Sequence, residues 1–133
     1  MDTQVTNTVA IRIPRERAFA AVAGLVVGGI AARHDVTLDV LDDLQLALDS
    51  LLDHGEDDEG EVSIELSIAD HTIQVSLGPI GDATVAELEQ EAGETIGLRR
   101  LLDATVDDVS LSERDGGTWV ELRKDYALAG PTG

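Results

Sequence analysis

Three histidines are the side chains most able to bind a metal or move a proton at neutral pH, and His34, His54 and His71 lie far apart along the chain. A three-histidine metal site needs its ligands to converge, and this spacing gives no sign of it. Each histidine falls at an expected helix end or turn, so no metal site is expected. Asp42, Gln45, Asp49 and Asp53 recur at helical spacing opposite a run of leucines, the pattern of a wetted helix face. The acidic stretch 55–61 lacks the alternating ligand spacing of a calcium-binding loop. Neither a Gly-x-Ser-x-Gly elbow, a phosphate-binding Walker loop nor a His-Glu-x-x-His pair is present, so the common hydrolase and metalloprotease signatures lend no support to catalysis. With no cysteine, thiolate chemistry and disulfides are excluded.

The elements that would position these groups follow from periodicity. Val5, Val9, Ile11 and Ile13 alternate with polar or small residues up to Pro14, which predicts a first strand. A helix is expected over 15–34; its uncharged stretch 18–32 is shorter than the ~20 residues needed to span a bilayer and reads as a buried helix. Gly24, Gly28 and Gly29 would let a neighbour approach it closely. Thr37 is the expected N-cap of a second helix over 38–54, with Leu41, Leu44, Leu48, Leu51 and Leu52 at helical spacing and Gly55 as its stop. A hairpin follows over 62–68 and 72–77, broken by Gly78-Pro-Ile-Gly81. Then come a weak acidic helix or mobile segment over 83–93, a short leucine-rich helix over 97–106 and a second hairpin over 109–113 and 118–124.

This order predicts an α+β fold, a two-layer α/β sandwich with a mixed, mostly antiparallel sheet covered on one face by helices. Residues 1–126 are expected to form a single domain and 127–133 a flexible tail. The formal net charge of −18 disfavours nucleic acid and membrane surfaces as partners. The opening Met1-Asp-Thr-Gln has no basic region leading into an apolar core, so a cytoplasmic location is expected.

Four stretches in this order carry a resemblance: Ile11-Arg-Ile-Pro14, Asp43-Leu-Gln-Leu-Ala-Leu-Asp49, the run from Gly97-Leu98 to Val109, and Gly116-Gly-Thr-Trp-Val-Glu-Leu-Arg-Lys124. Together they resemble the GHKL (Bergerat-fold, histidine-kinase-like) ATPases, and among them the bacterial anti-sigma-factor serine kinases that regulate transcription. The resemblance implies a nucleotide site, and at that site the chain departs from the family. The family helix carries Glu as activating base and, four residues on, Asn as magnesium ligand; those positions fall here on Ser50 and His54. Serine is no base near neutral pH, and magnesium prefers oxygen to imidazole nitrogen. Sliding the register by one residue would offer Asp49 and Asp53 as paired carboxylates, but both belong to the wetted stripe.

The family's Asp-x-Gly-x-Gly, whose Asp accepts from the adenine amino group, aligns with Pro79 and Gly81, and proline has no side-chain acceptor. Of the Gly-x-Gly-Leu that closes over the phosphates, Thr95-Ile-Gly97-Leu98 keeps half. Glu87, Glu89, Glu91 and Glu94 in the lid segment would repel a triphosphate, while Arg99 and Arg100 read as the wet side of the last helix. No catalytic residue and no bound cofactor are therefore expected, with ATP and magnesium implied only if the site is active. The resemblance implies a protein partner, either a sigma factor or a STAS-type antagonist, and a possible homodimer. An active ATP-dependent serine protein kinase and a small-molecule-binding α/β domain are the alternatives.

Overall fold

Residues whose apolar side chains alternate along the chain form one sheet, and residues whose apolar side chains recur every three or four form the layer that covers it. The computed structural model describes residues 7–15, 17–34, 36–54, 60–69, 71–89, 98–114 and 116–126. In chain order the elements are β1 (Asn7–Pro14), α1 (Arg17–Arg33), α2 (Leu38–His54), β2 (Glu61–Ala69), β3 (Thr72–Ile80), α3 (Asp82–Glu89), α4 (Leu98–Thr105), β4 (Asp108–Arg114) and β5 (Gly117–Asp125). The five strands run in the order β1-β2-β3-β5-β4 and every pairing is antiparallel, giving the expected two-layer α+β architecture. Of the expected loop 55–61, residues 55–59 lie outside the described residues and Glu61 already belongs to β2; the tail 127–133 also lies outside them.

One face of the sheet presents Val62, Ile64, Leu66, Ile68, Ile73, Val75, Leu77, Val120 and Leu122, all buried. Against it stand Leu44, Leu48 and Leu51 of α2, Ala23 and Val27 of α1, and Leu98 and Leu102 of α4. Each fully buried leucine contributes about 1.5–3 kcal/mol through the water it leaves. Thr37 caps α2 as expected, its hydroxyl accepting from the Val40 amide at 3.4 Å.

Two expectations require correction. The stretch 18–32 is not buried all round: α1 buries Ala23, Val27 and Ala31 and turns Phe19, Val22 and Leu25 outward. Periodicity could not separate the two faces because both are apolar. Nor does Gly78-Pro-Ile-Gly81 break the second hairpin strand, since β3 continues to Ile80. Between the pairs Leu77↔Val120 and Ile80↔Thr118, β3 advances one residue more than β5, which is a β-bulge that absorbs the proline.

The bulge sits where the open face of the sheet carries Trp119. An added Cβ at Gly78 would stand 2.5 Å from the Trp119 ring, so only glycine lets the indole lie flat on β3. Arg114, at the end of β4, covers the other side of the ring at 4.3 Å from its centroid. Its guanidinium donates to Glu65 Oε1 at 2.9 Å and pairs with Glu121 at 3.6 Å. These contacts, that with Glu65 foremost, hold its proton more firmly than usual. Arg114→Ala is expected to cost about 1–2 kcal/mol, from one cation–π contact and partly exposed ion pairs. It should also red-shift the emission of Trp119, the single tryptophan. Unchanged emission would mean that Arg114 does not cover the ring.

Candidate functional site

Of the positions that the resemblance assigns to nucleotide, Ser50, His54, Pro79 and Gly81 are described, and they lie toward one end of the sheet. Helix α2 ends at His54 and the chain enters β2 at Glu61, two residues before Ser63, which pairs with Gly78 near the end of β3. The C-terminal turn of α2, the end of β3 and the start of β5 therefore share that end, and α4 packs on α2. Ser50 is half-buried, two turns beyond Asp43 on the same side of α2. Asp43 accepts from Lys124 of β5 at 3.2 Å. His54 is the last residue of α2.

Pro79 is exposed; its carbonyl accepts from the Arg15 guanidinium, and its ring lies where a side chain at position 117 would have to go, 3.0 Å from an added Cβ on Gly117. Gly81 accepts from the Val85 amide at 3.0 Å and so opens α3. Thr95 and Gly97, with Glu91 and Glu94, lie outside the described residues.

Sequence reasoning placed Glu87 only as a source of repulsion. In the structure it has a specific partner: its Oε1 accepts from the Leu98 amide, the first residue of α4, at 3.3 Å. A free helix N-terminus offers amide donors and a positive dipole end to an anion. Here one of those donors already holds a carboxylate of the chain itself. Arg99, read from sequence as a wet-side residue, does more than that. It donates to the Leu88 carbonyl at 3.0 Å and pairs with Asp103 at 3.1 Å, so it locks α3 to α4. The spacing of eleven residues between Glu87 and Leu98 is too long for any capping motif readable in sequence.

The outer stripe of α2 divides in two. Asp42, Asp49 and Asp53 are exposed, as a wetted face requires, whereas Gln45 is half-buried and donates to the Gly24 carbonyl of α1 at 3.1 Å. Gly24 and Gly28 both lie within contact distance of that amide, which accounts for two of the three helix glycines. Although its side chain is exposed, the loss of some hydrating water against the protein surface raises the Asp49 carboxyl above its usual value. A carboxyl raised by folding stabilises the fold most when protonated, and that contribution is lost as pH rises through the folded value. Asp49→Asn is therefore expected to be slightly more stable than the parent at pH 7, within about 0.5 kcal/mol for so exposed a group, with the gap closing below the carboxylate range. Equal gains at pH 3 and pH 7 in urea titrations would assign the effect to something other than charge.

A small groove of about 90 Å³ on the open face of the sheet is lined by Gln74, Ser76, Asp108, Ser110, Glu121 and Arg123. It lies on the face away from α2 and is well below the ~300 Å³ at which small-molecule sites begin.

No protein-family profile matches the chain. The serine-protein kinase RsbW of Bacillus velezensis is 27% identical to it over 97 residues, which cover 68% of this chain and 60% of the relative. The chain thus spans less than two thirds of the length of that kinase. This is likeness to a serine-protein kinase, the class to which the motifs point. No described helix is long and apolar enough to cross a membrane.

Proposed function

We propose that this chain is a regulatory protein-binding domain of the anti-sigma-factor serine kinase type that has given up its nucleotide site and acts by protein contact. The observation that carries this reading is the Glu87 carboxylate on the Leu98 amide, at the helix end where a kinase of this type would receive phosphate. A phosphate brought there meets a negative charge and must displace a charge-assisted hydrogen bond. Ser50, His54 and Pro79, at the positions of base, magnesium ligand and adenine acceptor, supply none of those functions. A sigma factor or a STAS-type antagonist is the partner in this reading, and a second copy of the chain is a further one.

Similarity to a serine-protein kinase favours the active enzyme as the second reading. Titration of purified sigma-factor and STAS-type proteins with and without magnesium-ATP separates the two. The proposal expects one of them to bind with the same Kd under both conditions. A nucleotide-dependent Kd, or transfer of the ATP γ-phosphoryl group to a partner serine hydroxyl, would replace it with the kinase.

A further inference from the structure

The outward faces of α1 and α2 differ in kind, and together they describe a partner. Along α1 every described side chain that is exposed between Arg17 and Arg33 is apolar or glycine, and Leu25 is 76% exposed. Along α2 the exposed residues are Leu38, Asp39, Asp42, Leu46, Asp49 and Asp53, and the helix contains no Lys or Arg. The Gln45–Gly24 hydrogen bond ties the helices at mid-length, and Leu25 and Leu46 are each the next residue past that tie, both turned outward. Their axes are therefore about one interhelical spacing apart, ~8–10 Å. The helical layer thus offers an apolar strip beside an acidic one.

Leaving this surface bare is unfavourable twice over. Leu25, Val22 and Leu46 stand in water, and the like charges at Asp39 and Asp42 repel at a spacing that brings side chains together on a helix. A partner that covers the strip and brings cations to the stripe removes both costs. A second copy would cover the strip but bring the same aspartates and a further charge of −18.

We propose that the outer surface of α1 and α2 is the docking face for a cationic amphipathic helix of a partner protein, its apolar side on Leu25, Val22 and Leu46 and its Lys or Arg side on Asp42 and Asp49. This rests on the protein-binding reading above and names where the partner sits and what its surface carries. It is helix-on-groove recognition, in which anchors at helical spacing give affinity and charge gives orientation and rate.

The test uses the full chain and a labelled Leu/Lys peptide patterned at helical period, against a peptide of the same composition scrambled to destroy its apolar face. Fluorescence anisotropy near 0.15 M salt is expected to give micromolar binding for the patterned peptide and at least tenfold weaker binding for the scrambled one. Leu25→Ser, and Asp42→Asn with Asp49→Asn, should each weaken the patterned peptide about tenfold, while circular dichroism confirms an unchanged fold. Equal binding of the two peptides, or variants that bind like the parent, would overturn the proposal. A parent dimer dissociated by Leu25→Ser would overturn it in favour of a second copy. If the peptide fails while a sigma-factor or STAS-type protein still binds, this face alone is wrong; if both fail, the protein-binding reading falls with it.

Discussion

Gly78→Ala is expected to lower the free energy of unfolding by about 1–3 kcal/mol, the usual cost of forcing a methyl group into a packed site. The new Cβ would stand 2.5 Å from the Trp119 ring, and the ring has little room to yield: it is 7% exposed, with Arg114 on its other side. Either the indole tips out, taking Arg114 off Glu65, or the β3 bulge shifts and the Ile80↔Thr118 pair is lost. Gly29→Ala serves as the opposite control. It lies in α1 with nothing within 4 Å of an added Cβ, so the same substitution should stabilise by about 0.5–1 kcal/mol through helix propensity. Urea denaturation of both variants decides the matter. Two changes of the same sign would mean that contact with Trp119 is not what requires glycine at position 78.

Ser50→Glu, His54→Asn and Pro79→Asp together are expected to make the chain bind magnesium-ATP measurably more tightly than the parent. The Glu and Asn return a base and an oxygen ligand to one side of α2, and the Asp returns an acceptor at the end of β3. Adding Glu87→Gln removes the carboxylate from the Leu98 amide and should tighten nucleotide roughly tenfold, about the worth of one charge-assisted hydrogen bond. Calorimetric titration reads both steps. If neither set binds nucleotide, the alignment of Ser50, His54 and Pro79 with the family positions is wrong; if the fourth change has no effect, Glu87 is a structural cap without bearing on anions.

Much of the fold was legible in the sequence because burial has a period. β2 alternates Val62, Ile64, Leu66 and Ile68 against Ser63, Glu65 and Ser67, and α2 repeats its leucines every three or four residues, so both elements and their inward faces could be read directly. α1 could not be divided, because Ala23 and Val27 differ from Val22 and Leu25 only in where the rest of the chain lies. The continuation of β3 through Pro79 was hidden for a related reason. A proline ends a strand unless a partner strand accommodates a bulge, and that partner, β5, lies some forty residues on.

The candidate site was read unevenly. What serine, imidazole and proline offer chemically at positions 50, 54 and 79 is independent of fold and could be stated from the sequence. Glu87 on Leu98, Arg99 on Leu88 and Arg114 over Trp119 depend on long-range packing with no sequence period. Gln45 misled for the same reason: its place in the helical stripe was right, but α1 covers it.

Whether nucleotide plays any part is decided by a thermal melt of the purified chain with and without millimolar magnesium-ATP. A ligand at a hundred times its Kd stabilises by ~2.7 kcal/mol, which moves the midpoint of a domain this size by several degrees. Superimposable melts are expected. A clear rise in Tm with magnesium-ATP would contradict the proposed loss of the nucleotide site and return the chain to the active serine kinases.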